Sequence, residues 1–97
     1  MQIKVMADYE CSPLWWDQPD RVGNIFPDDL GLSENLSTEL MAWACRYDAT
    51  LNREDPISSG FASMNDERIF HEEGERLTTC VAEELGRDVA VRYLAFR

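Results

Sequence analysis

Two apolar stripes of helical period constrain this chain more than any other feature. Between Ser33 and Asn52, Leu36, Leu40, Trp43, Ala44, Tyr47 and Leu51 recur at steps of three and four, the spacing that gathers side chains along one face of an α-helix. Between Ser63 and Leu85 the pattern returns with Phe70, Gly74, Leu77, Val81 and Leu85. Each stripe must be buried, and their matching length and spacing let one cover the other as an antiparallel helix pair. Gly74 is the unexpected member, because glycine within a helix costs about 1 kcal/mol against alanine. Its use is close approach: a missing side chain there admits a bulky neighbour, and Trp43, midway along the first stripe, is the candidate.

The ends of both stripes carry helix signals. Ser33 followed by Glu34 reads as an N-cap and an acid at the positive end of the dipole, with Arg46 and Arg53 towards the far end. Ser63 with Asp66 three positions on is a capping-box variant, and Gly86 after Leu85 is a left-handed C-cap. Between the helices, Asp55-Pro56 and Ser58-Ser59-Gly60 form a break and a turn, with Ile57 and Phe61 as anchors.

Outside the helices, Gln2 to Glu10 alternates, with Ile3, Val5, Ala7 and Tyr9 on one side, and Asp88 to Phe96 does the same from Val89 onward. Both read as strands. Cys11 to Leu32 reads as a long irregular connection with Pro13, Pro19, Pro27, Gly23 and Gly31, pinned by its own apolar residues, with one helical turn at Pro27 to Leu30. The fold class is therefore α+β, in the order strand, long loop, helix, helix, strand, with the helix pair packed on one face of a small sheet. Two strands alone are marginal. Either the 11–32 segment supplies a third, or a homodimer joins strand edges.

With 97 residues the chain is read as a single domain, 1–97. Its formal net charge of −10, from 19 acidic and 9 basic residues, disfavours nucleic acid and anionic membrane as partners, since the cations are scattered and form no patch. The expected partner is a basic protein. No apolar run reaches the length of a membrane span or a secretory signal, so the expected location is the cytoplasm. Cys11, Cys45 and Cys80, odd in number and widely spaced, read as reduced and mostly buried thiols.

Candidate chemistry is thin. His71 has Glu67 and Glu75 one turn to either side, yet a metal site needs three or four converging ligands, and no His or Cys pair supplies them. Cys11 has acidic neighbours that oppose thiolate formation. No cofactor, metal or catalytic signature is present in the sequence, and an enzyme is the less favoured class. That alternative, an enzyme or ligand-binding protein, would use Asp8, Glu10, Asn52 and Ser59 as a carboxylate-lined pocket where the 8–20 and 52–61 segments meet. The favoured reading is a protein-binding module, an immunity protein or inhibitor that masks a basic cleft. Leu14-Trp15-Trp16 carries it: adjacent side chains on an extended segment face opposite sides, so burying one tryptophan tends to expose the other. Trp16 is the expected anchor, rimmed by Asp17, Asp20, Asp28 and Asp29.

The run Asp8-Tyr9-Glu10-Cys11-Ser12-Pro13-Leu14-Trp15, with Asp48 to Asn52 and Asp55 to Phe61, resembles stretches of small uncharacterised bacterial proteins over most of the chain. The resemblance implies a bacterial origin and attaches no activity.

Overall fold

The computed structural model describes residues 1–51, 60–61 and 63–95. In chain order these form β1 (Gln2–Val5), β2 (Leu14–Trp16), β3 (Asn24–Ile25), a 3-10 turn (Pro27–Leu30), α1 (Glu34–Asp48), α2 (Met64–Leu85) and β4 (Ala90–Tyr93). The strands lie in one sheet of order β3-β2-β1-β4. β1 pairs antiparallel with β2 and parallel with β4, and β2 pairs antiparallel with β3. The 11–32 segment thus supplies not one further strand but two, and the connection read as irregular is part of the sheet.

Register decides which side chains meet the helices. Ile3 lies opposite Trp16 and Val91, Val5 opposite Leu14 and Tyr93, and Leu14 opposite Ile25. These residues share a face, and Ile3, Val5, Leu14 and Ile25 are buried. Lys4, Trp15, Asn24 and Arg92 occupy the other face, in register with one another.

The helices cover the apolar face as an antiparallel pair. Contacts run in opposite senses along them: Ser33 meets Glu84, Glu39 meets Arg76, and Trp43 meets Phe70. Leu40, Trp43, Leu77 and Val81 are fully buried. Gly74 sits where the three layers touch, since a Cβ built on it would lie 2.7 Å from Trp43 Cζ2 and 2.5 Å from Tyr93 Cε1. Trp43 also stacks on Phe70 at 4.4 Å, and its indole N–H donates to the Phe70 carbonyl at 2.9 Å. That carbonyl is the acceptor one helical turn before Gly74, so the bare glycine opens the path by which the indole reaches it.

Both caps form at the expected serines. Ser33 Oγ accepts from the Leu36 N–H and Ser63 Oγ from the Asp66 N–H. Gly86 ends α2 at a positive φ of 85°, but its ψ of −177° is extended and not left-handed helical.

Several expected bounds are too generous. β1 stops at Val5 because Pro13, which accepts from the Met6 N–H in the same register, has no N–H to return the bond, and the chain then turns with Glu10 at a positive φ of 61°. α1 stops at Asp48, where the Thr50 and Leu51 N–H groups bond Tyr47 and Asp48 three residues back. β4 is shortened by the turn in which the Val89 N–H reaches Gly86. Cys45 is exposed, and Cys11 and Cys80 are half-buried, all three as free thiols. Arg53, the Asp55-Pro56 break, Ile57, Ser58-Ser59 and Phe96 lie outside the described residues.

Candidate functional site: a cavity beside Trp16

The β2–β3 hairpin, with β3 at the edge of the sheet, leads into the 3-10 turn. Trp16 closes β2 and bonds through its N–H to the Gly23 carbonyl at 3.0 Å. The hairpin tip then folds back at Pro19-Asp20, where the Arg21 N–H meets the Gln18 carbonyl at 3.3 Å, a turn that proline at the second position favours. This return brings the Arg21 guanidinium 3.9 Å above the Trp16 ring centroid, a cation–π contact. Beside it opens a cavity of about 400 Å³ lined by Met1, Trp16, Arg21, Asn24, Ile25, Asp29 and Leu30.

The expected anchor and its rim are only partly gathered here. Trp16 is half-buried and packs against the core from the helix-facing side of the sheet. Trp15 is half-buried on the opposite face, its indole N–H donating to the Met6 carbonyl at 3.0 Å. The two rings do face opposite ways, yet neither is left fully exposed. Asp29 shares the cavity with Trp16, and Asp28 lines a neighbouring groove of about 500 Å³ with Leu32, Glu34 and Met41. Both acids are exposed in the first turn after Phe26. Asp20 stands at the hairpin tip, where its carboxylate accepts from Gln18 Nε2 at 3.2 Å. Asp17 instead accepts two hydrogen bonds from Arg92 of β4, and that guanidinium holds its carboxyl below the usual carboxylate range.

Met1, Arg21 and Leu30 were not among the residues expected at this site. Only the turn signal Pro19-Asp20 hints that Arg21 would return to Trp16, and nothing in the sequence brings Met1 or Leu30 there.

The alternative pocket is half outside view. Asp8 and Glu10 are exposed in a turn docked on the C-terminal end of α1. There the Glu10 N–H donates to Asp48 Oδ1 at 2.9 Å, and Tyr9 stacks on Tyr47 at 4.5 Å. Asn52 and Ser59 lie outside the described residues. Cys11 sits beside this turn, and burial, then Asp8, Asp48 and Glu10, push its thiol pKa up, against nucleophilic use.

His71 bonds Tyr93 Oη through Nδ1 at 2.6 Å, with Glu67 3.8 Å from Nε2. Among the described residues no three His, Cys, Asp or Glu side chains converge as a metal site, and no helix is long and apolar enough to cross a membrane.

A protein-family model described as Serratia CdiI immunity protein-like matches residues 1–95. The match attaches a role where the resemblance to uncharacterised bacterial proteins attached none. No curated protein matches the chain.

Proposed function

The chain belongs to the Serratia CdiI immunity protein-like family, and from that premise we propose that it binds a toxin protein and covers a basic cleft with its own acidic surface. The family match carries the immunity role. The net charge of −10 supports the basic partner: carboxylates on a rigid scaffold speed encounter with a cationic surface and make the on-rate fall with salt. Trp16 with Asp17, Asp20, Asp28 and Asp29 is the proposed contact region, at the hairpin end of the sheet, and the cytoplasm is the proposed site of action.

The test is direct binding between this chain and a toxin domain of the same cell, taken from the gene next to its own where one lies there. A complex whose association rate falls at least ten-fold between about 50 and 500 mM salt is expected, because exposed charges are screened over a Debye length. A complex insensitive to salt would refute the basic-cleft reading, and no complex would refute the immunity role. The outermost place of β4 in the sheet supports the separate proposal of a homodimer through strand edges, which a monomeric mass at high micromolar concentration would remove.

A further inference from the structure

We propose that the cavity beside Trp16 is the socket for a lysine or arginine side chain of the toxin, and that Arg21 occupies its mouth in the free protein as a placeholder. This rests on the toxin-binding reading above. The space of about 400 Å³ is mixed in character: Met1, Trp16, Ile25 and Leu30 supply apolar side chains, Asn24 an amide and exposed Asp29 a carboxylate, with Arg21 at its edge. Long cationic side chains lay their stems along apolar surface and keep the charged head at a polar edge. An aromatic face and a carboxylate are two groups that hold such a head. The Trp16 ring already accepts a guanidinium, that of Arg21 at 3.9 Å.

Arg21 is itself weakly held. It is exposed, and among the described residues no carboxylate lies within ion-pair distance of it. Exchange for an incoming cation therefore breaks one ring contact and no salt bridge, while a chain of net charge −10 attracts that cation. An apolar occupant would fill the same walls but gain nothing from Asp29, which separates the two experimentally.

The experiment measures affinity for that same toxin domain, at low and high salt, for wild type, Asp29→Asn and Arg21→Ala. Both substitutions lie at exposed side chains, and circular dichroism checks the fold of each. Asp29→Asn should weaken binding ten-fold or more at low salt and flatten the salt dependence. Arg21→Ala should bind as tightly as wild type or tighter, because the placeholder is gone. Asp29→Asn within two-fold of wild type would overturn the socket and leave the immunity role standing. Arg21→Ala weakening binding as much as Asp29→Asn would make Arg21 a contact in its own right and overturn the placeholder. Wild type failing to bind would sink the toxin-binding reading, and the socket with it.

Discussion

Gly74→Ala sets two effects of opposite sign against each other in one methyl group. Alanine should stabilise the interior of α2 by about 1 kcal/mol through helix propensity. Against this, the new Cβ would lie 2.5 Å from Tyr93 Cε1 and 2.7 Å from Trp43 Cζ2, and about 0.9 Å of retreat by Tyr93 is needed to reach ordinary contact at 3.4 Å. Trp43 has no room to give, and Tyr93, although half-buried, is held at its hydroxyl. Trp43 is fully buried, stacked on Phe70 and tied to its carbonyl, and Tyr93 is tied to His71. Overpacking of this kind costs about 1 to 3 kcal/mol, and straining the Trp43 hydrogen bond adds about 1 kcal/mol or more. The overlap wins, with a net loss of about 2 kcal/mol. For a domain of this size that lowers the melting temperature by about 8 to 16 °C, readable by circular dichroism with a urea titration as a second measure. Truncating one of the two rings should relieve the loss, so Gly74→Ala should cost at least about 0.5 kcal/mol less in a Tyr93→Leu background. A Gly74→Ala protein that melts at or above wild type would refute the reasoning, since propensity alone would then govern the site.

Two further outcomes follow from the helix ends and the thiols. Ser33 both caps α1 and donates to Glu84 near the end of α2, so Ser33→Ala should cost about 1 kcal/mol in urea unfolding. The Ser33 hydroxyl and N–H hold the Glu84 carboxyl below its usual range, and Arg76 does the same for Glu73. A lowered folded pKa stabilises the protein above the ordinary carboxylate value, about 4.3, and that contribution is lost as pH falls through the lowered value. The urea midpoint should therefore hold down to about pH 5 and fall below it, less steeply in Glu84→Gln; an unchanged slope in that variant would refute the link. Cys45 is exposed, whereas burial and three acidic neighbours raise the Cys11 pKa. Iodoacetamide near pH 8 should mark Cys45 first by peptide mass mapping, and Cys11 reacting faster would contradict the placement.

The helix pair was legible because its signals are local. A 3.6-residue period, a serine before each helix and one glycine inside a stripe are properties of neighbouring residues, and each stripe spans enough turns to show its period. The sheet was legible only at its ends. β2 has three residues and β3 two, too few for alternation to stand out, and both are fixed by partners elsewhere: Leu14 opposite Val5, Ile25 opposite Leu14. The candidate site was harder still. That Trp15 and Trp16 face opposite ways followed from strand geometry, but their similar burial did not. Trp15 lies against the Met6 carbonyl and Trp16 beneath Arg21, and neither cover can be read from a dipeptide. Asp17 meets an arginine 75 positions away, a pairing that depends on β1 and β4 running parallel.

That placement divides the acidic residues by what their loss can report. Asp20, Asp28 and Asp29 are exposed, and among the described residues none of them forms an ion pair, so neutralising them should leave stability within about 0.5 kcal/mol of wild type. Any change in toxin binding at these positions then reports on the interface. Asp17 differs because it ties β2 to β4 through Arg92, and Trp16 differs because it packs on the core beside Ile3. A loss of binding in Trp16→Ala or Asp17→Asn mixes contact with the positioning of the hairpin end. The 3-10 turn packs on α1 through Pro27 and Leu30, but its carboxylates and that of the hairpin tip point to solvent, so these charges can vary while the Trp43–Gly74–Tyr93 contact keeps the scaffold unchanged.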